Sequence, residues 1–229
     1  PKDDEVLIEI HAAALNRADL LQRAGKYPPP PGWPEWMGLE VAGIVLSTPE
    51  NSRWKKGDKV CVLLGGGGYA EKVAVPRNMV LPIPQGLSME EAAALPEAFA
   101  TSYLNLRIEA GMKAGDTVFI QAGASGLGIA AIQLAKAFGA KVITTVGSDE
   151  KANAVRKLGA DIIVNRKTDD LGKILDENPV DIVLDCVGGN ELGKHIEKLA
   201  VGGRWILIAT LGGESAEIAL RPILKRGLR

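Results

Sequence analysis

The chain has 229 residues, 46% of them apolar and 24% charged, with a formal net charge of -1 at pH 7. That length holds one large domain or two modest ones around a substantial core. So balanced a charge argues against a polyanion-binding surface, which needs clustered Lys and Arg, and no apolar run is long enough to span a bilayer.

The start, Pro1-Lys2-Asp3-Asp4-Glu5, lacks the charged-then-apolar layout of a secretion signal. Cys61 and Cys186 stand far apart with no metal or disulfide spacing. A cytoplasmic protein is therefore expected, with both thiols acting as small buried apolar groups. The chain begins without Met just before an apolar run and stops abruptly at Lys225-Arg226-Gly227-Leu228-Arg229, which reads as a piece of a longer protein, truncated at both ends.

From Val6 to about Val80 the chain is rich in Gly and Pro. Its short β-like runs fall at Val6 to Ile10, Val41 to Leu46, Lys59 to Leu64 and Glu71 to Val75. This predicts a mostly antiparallel β domain. Gly65 to Gly68 reads as a loop, because no helix follows it to make a phosphate cradle. Leu81 to Pro84 is an extended crossing, and Ser88-Met89-Glu90-Glu91 opens a helix with an N-cap and an acidic first turn. Ala92 to Ala94 and Ala98 to Ala110 are helical, interrupted by Pro96.

From Thr117 onward strand and helix alternate, which implies a parallel sheet covered by helices. The predicted strands are Val118 to Gln121, Lys141 to Val146, Ile162 to Val164, Ile182 to Asp185 and Arg204 to Ala209. Between them the helices are Ile129 to Phe138, Lys151 to Leu158, Asp170 to Asp176 and Leu192 to Leu199. The boundary between an N-terminal domain (1–95) and the α/β domain (96–229) is placed at the connecting helices.

The most informative stretch is Gly123-Ala124-Ser125-Gly126-Leu127-Gly128, between an apolar strand and a helix. A dinucleotide pyrophosphate must approach the backbone closely at a helix N-terminus, where free N–H groups and the helix dipole favour negative charge and a Cβ would block the way. Ser125 stands where G-x-G-x-x-G has its middle glycine, so the pattern is imperfect, and a purely structural glycine turn is the alternative. The strand that precedes, the helix that follows and the second strand beyond supply the context of a nucleotide site.

The second strand ends in Thr144-Thr145-Val146-Gly147-Ser148, with no carboxylate at the tip to take the adenine ribose 2′-OH of NAD. Asp149 and Glu150 serve more simply as the acidic first turn of the next helix. A 2′-phosphate can be received there by Ser148, Lys151 and Arg166, which favours NADP(H). The alternative is that Lys151 and Arg166 are solvated surface charges.

Several further stretches, in this order, complete the picture: Ala14-Leu15-Asn16-Arg17-Ala18-Asp19-Leu20, Gly25-Lys26-Tyr27-Pro28-Pro29-Pro30, Gly38-Leu39-Glu40-Val41-Ala42-Gly43, Ala93-Ala94-Leu95-Pro96-Glu97-Ala98, Leu184-Asp185-Cys186-Val187-Gly188-Gly189 and Gly202-Gly203-Arg204-Trp205. On them, and on the glycine turn, the chain resembles the zinc-free quinone oxidoreductase branch of the medium-chain dehydrogenase/reductase superfamily, related to zeta-crystallin and similar to its stress-inducible NADPH quinone reductases. The resemblance implies an α/β protein with a GroES-like, mostly antiparallel β domain followed by a Rossmann-type doubly wound parallel sheet. It also implies a homodimer in the full-length protein.

Zinc-dependent relatives hold their metal with a cysteine where this chain has Asn16, a histidine where it has Leu39 and a cysteine near Glu97. His11 and His195 cannot rescue such a site, which needs three or more convergent ligands, so no metal is expected. Reducing a simple ketone calls for a Lewis acid or proton donor to take up oxyanion charge. A quinone needs one less, because its reduced anion is delocalised and aromatic. The expected reaction is NADPH-dependent two-electron quinone reduction by hydride transfer without a metal. The resemblance places Asn16 and Tyr27 in the cleft beside the nicotinamide, Tyr27 as a donor to the quinone oxygen; a turn-lining aromatic is the other reading of Tyr27. It places Thr101 at the nicotinamide end, Cys186, Gly188 and Gly212-Gly213 beside the cofactor, and Gly147 at its adenosine end. Arg166 departs from the tyrosine expected of the nearest relatives. The competing readings are an enone or 2-alkenal reductase of the same superfamily, and a non-catalytic NADPH-binding truncated isoform.

Overall fold

The computed structural model describes residues 1–191 and 193–229. The chain divides into two compact units, Pro1–Ala100 and Thr101–Arg229. No helix of the described residues is long and apolar enough to cross a membrane.

The first unit is built on an antiparallel sheet in the order β4-β1-β2-β3-β5. Its strands are β1 (Glu5–Ala13), β2 (Glu40–Ser47), β3 (Lys59–Leu63), β4 (Lys72–Pro76) and β5 (Val80–Pro82). Alternation does the sorting: Val6 and Ile8 of β1 point into a core shared with Val41, Val45, Val60, Val62, Val75 and Trp54. Residue 43 must be glycine, since a Cβ there would meet the Glu9 carbonyl of β1 at 2.0 Å. On the opposite face Ala42 and Cys61 pack against Ala92 and Ala93 of α2 (Met89–Ala93). As expected, Ser88 caps α2 in a capping box with Glu91.

One helix of this unit, α1 (Arg17–Arg23), is not expected from the sequence. It is only 7 residues long and carries no apolar stripe. The predicted helix over Ala98 to Ala110 is α3 (Pro96–Tyr103) followed by a π-helical turn, Leu104–Glu109.

The second unit is a five-stranded parallel sheet in the order β10-β9-β6-β7-β8. Its strands are β6 (Thr117–Ile120), β7 (Lys141–Val146), β8 (Ile162–Asn165), β9 (Val180–Asp185) and β10 (Leu199–Leu207). Register sets the two faces. Val118 lies level with Val142 and Ile182 and packs with Ala131, Ile132 and Ala135 of α4 (Gly126–Ala137) and Val155 of α5 (Asp149–Lys157). Phe119 lies level with Ile143 and Val183, against Leu175 of α6 (Leu171–Glu177) on the other side. Both faces are covered, so the strands read as continuous apolar runs.

The predicted helix Leu192 to Leu199 is corrected. Leu192 lies outside the described residues, and toward the end of the stretch a single 3-10 turn, Ile196–Lys198, leads directly into β10. Strand β10 therefore starts five residues before the predicted Arg204, and its register breaks between Leu199 and Arg204. After it comes α7 (Leu220–Arg226).

Candidate functional site

The chain runs β6, β7, β8 toward one edge of the parallel sheet and then returns to place β9 and β10 on the other side of β6. The order reverses between β6 and β9, and ligands of open α/β sheets bind at the carboxyl ends of strands at such a switch point. The glycine turn follows β6 there.

That turn is pinned by β7. Thr145 accepts the Ala122 amide on its hydroxyl (3.1 Å) and the Gly123 amide on its carbonyl (2.9 Å). Thr144 donates its hydroxyl to the Ile120 carbonyl at 2.7 Å. Ala122 takes up a left-handed φ of 54°, a strained choice for a residue with a Cβ. The three glycines then divide their work. A Cβ on Gly123 would lie 2.1 Å from Thr144 Oγ1 and one on Gly128 would lie 2.5 Å from the Ala122 carbonyl, so both are demanded by packing. A Cβ on Gly126 would meet nothing within 4 Å. Gly126 alone faces open space, at the first position of α4.

Ser125 is the N-cap of α4, its hydroxyl accepting the Gly128 amide at 3.0 Å. The amides of Gly126 and Leu127 begin the helix and have no intrahelical acceptor. They are the N–H groups an anion would meet, while the Leu127 side chain packs against the core.

At the tip of β7 the Arg166 amide bonds to the Val146 carbonyl (3.0 Å) and its guanidinium crosses Gly147, with Nε 3.3 Å from where a Gly147 Cβ would stand. Ser148 caps α5, accepting the Lys151 amide at 3.4 Å. Asp149, the next residue along the chain, accepts from Asn165 Nδ2 at 3.3 Å. A single tip thus gathers Gly147, Ser148, Lys151 and Arg166.

At the tip of β9, Asp185 is fully buried and takes three donors: the amides of Val187 (2.7 Å) and Gly188 (3.0 Å) on Oδ1, and Trp205 Nε1 (3.0 Å) on Oδ2. Burial and then the Asp185 carboxylate push the neighbouring Cys186 thiol up, so Cys186 stays protonated. The Gly212 amide bonds to the Val187 carbonyl at 2.6 Å, and a Cβ on Gly189 would stand 2.5 Å from the Gly212 carbonyl. Here the tips of β9 and β10 interlock. Thr101 is on α3, where its carbonyl accepts Asn105 Nδ2 at 2.8 Å.

In the first unit, Asn16 precedes α1 and donates Nδ2 to Glu40 Oε1 at 2.8 Å. The other arm of Glu40 accepts the Glu97 amide, also at 2.8 Å. Asp19 accepts the Asn16 amide (2.7 Å), the Gly38 amide (3.1 Å) and the Tyr69 hydroxyl (2.8 Å). Glu40 and Asp19 are each only 2% exposed. Tyr27 stands 43% exposed in the loop after α1. Sequence reasoning missed Thr144, Thr145, Asp185, Asp19 and Tyr69, because each acts through a partner distant along the chain.

Burial raises the Glu40 carboxyl, against the lowering effect of its two hydrogen bonds. Burial, followed by the Asp19 bond and charge, raises the Tyr69 hydroxyl far above the usual tyrosine range. The folded unit therefore holds the Glu40 proton more tightly than the unfolded chain does. Its contribution favours folding at acid pH and fades as pH climbs from the ordinary 4.5 through the raised folded value. Glu40→Gln is expected to flatten this part of the stability profile, read from thermal melts between about pH 4 and about pH 8.

An antiparallel β unit followed by a doubly wound sheet with its glycine turn at the switch point is the make-up of a medium-chain dehydrogenase/reductase. Residues 2–85 match the alcohol dehydrogenase GroES-like domain and residues 126–229 match the zinc-binding dehydrogenase family. The chain is 35% identical to the quinone oxidoreductase of Sus scrofa, covering 99% of this chain and 70% of that one. It is 33% identical to that of Homo sapiens, covering 93% and 66%. Among solved structures, the quinone oxidoreductase of Thermus thermophilus, studied also in complex with NADPH, is 36% identical over 99% of this chain and 70% of that chain, with a TM-score of 0.79. The chain belongs to the quinone oxidoreductase family. It spans about two thirds of the length of the curated relatives it matches.

Proposed function

We propose that the protein reduces quinones by two electrons with NADPH as donor and without a metal. The tip of β7 carries the cofactor half of this reading: Gly147 and Ser148 stand where an NAD site needs a carboxylate, under the guanidinium of Arg166. The open face of Gly126 beside the first amides of α4 is a cradle that a Cβ would fill, which fits a pyrophosphate. Bound NADP(H) would supply a hydride from nicotinamide C4.

The chain's own residues do the rest. Gly126, Leu127 and the Ser125-capped turn bind the pyrophosphate; Ser148, Lys151 and Arg166 take the 2′-phosphate. Cys186, Gly188 and Gly212, on tips braced by Asp185, leave room beside the cofactor, and Thr101 meets its nicotinamide end. Tyr27 donates a hydrogen bond to the acceptor oxygen and Asn16 orients the acceptor. Asn16 and Leu39, standing where zinc-dependent relatives would place a cysteine and a histidine, support chemistry that relies on the acceptor's own delocalised anion.

Steady-state NADPH oxidation by the intact protein tests this, with an ortho-quinone and a 2-alkenal as competing acceptors and NADH as competing donor. Faster turnover of the quinone with NADPH, unchanged by chelator, is expected. Preference for the alkenal would reassign the substrate, and a requirement for zinc would overturn the metal-free reaction.

A further inference from the structure

Asn16 is held from both sides by buried carboxylates, its backbone by Asp19 and its side chain by Glu40. Glu40 has no cation within ion-pair distance among the described residues; its partners are two N–H donors, one on each oxygen. A buried carboxylate is expensive to keep, so a neutral side chain would serve better if the task were only to tie β2 to the start of α3. What a carboxylate offers, and a carboxamide cannot, is an acceptor on both arms. The Glu97 amide belongs to the backbone and cannot turn around. The arm facing Asn16 must therefore be an acceptor if Asn16 is to point its nitrogen inward.

We propose that Glu40 is the positioning residue of Asn16: by taking one Nδ2 hydrogen on its carboxylate it holds the carboxamide so that the other Nδ2 hydrogen is left to donate to the acceptor oxygen. The proposal rests on the reading of Asn16 as an acceptor-orienting group. Gln at position 40 keeps the volume and the bond from the Glu97 amide, but its second arm becomes an NH2 facing Asn16. The Asn16 carboxamide would then rotate by half a turn to offer its oxygen inward, which carries its free N–H away from the place it holds for the acceptor oxygen.

The test compares Glu40→Gln, Asn16→Ala and the double variant in the intact protein. In wild type, one proton of the Asn16 side-chain amide is expected to be shifted downfield in 1H–15N spectra by its bond to a carboxylate, and Glu40→Gln should abolish that shift. With an ortho-quinone, Glu40→Gln should lower kcat by about ten- to a hundredfold, the scale of a misplaced orienting group, while NADPH affinity is unchanged. Added to Asn16→Ala it should lower kcat no further. An Asn16 amide signal indifferent to Glu40→Gln, or a loss that adds in full to that of Asn16→Ala, would overturn the proposal. Wild-type kcat in Asn16→Ala overturns instead the role given to Asn16, whatever the amide signal does.

Discussion

Gly126→Ala is expected to leave the melting temperature unchanged and to weaken NADPH binding at least about tenfold, the equivalent of roughly 1.4 kcal/mol. The new methyl group meets no protein atom within 4 Å, so the folded chain has no reason to object. It does stand at the first turn of α4, where a bound pyrophosphate would have to come within hydrogen-bond distance of the backbone. Gly128→Ala, two residues on, is expected to do the reverse. Its methyl group would lie 2.5 Å from the Ala122 carbonyl, and neither the strained turn nor the helix can move without losing the bonds to Thr145. Overpacking of this kind costs about 1–3 kcal/mol. At about 2–4 °C per kcal/mol for a chain of this size, the melting temperature should fall by several degrees. Thermal melts and nucleotide titrations on the two variants separate the effects. Wild-type NADPH affinity in Gly126→Ala would mean that the nucleotide is not held at this turn.

Arg166→Ala is expected to raise the Kd for NADPH by about ten- to a hundredfold and to change that for NADH little. A hydrogen bond to a charged group is worth about 1.5–3 kcal/mol, and only NADPH carries the 2′-phosphate that would receive it. Lys151→Ala should act in the same sense but more weakly, since lysine offers phosphate a point charge rather than a planar fork. The preference for NADPH should also narrow as salt is added, because the β7 tip is open to solvent and exposed charges are screened over about 10 Å at 0.1 M. Equal losses for both nucleotides in Arg166→Ala would remove Arg166 from phosphate recognition and leave it a brace for Gly147.

Much of the α/β unit was legible in the order of residues. Strands buried on both faces announce themselves as apolar runs, and Ser125, Ser148 and Asp170 cap the helices that follow them. The helix predicted at Leu192 to Leu199 failed because Leu199 and Ile196, apolar at helical spacing, are buried for different reasons, one as the start of an edge strand and the other in a 3-10 turn. Helix α1 escaped notice for the opposite reason. Held by Asp19, whose carboxylate reaches Gly38 and Tyr69 as well as Asn16, it owes its place to polar bonds rather than to an apolar face.

Local signals, then, determined the element order, the class of sheet and the position of the glycine turn, because period, capping and glycine content act over a few neighbouring residues. Tertiary structure decided which glycine is free for a ligand, which tip lies under Arg166 and what holds Asn16. Each of those depends on a partner far along the chain: Thr145 lies 23 residues from Ala122, Glu40 lies 24 from Asn16 and 57 from Glu97. No local pattern encodes such a distance; only the folded path brings the partners within hydrogen-bonding range.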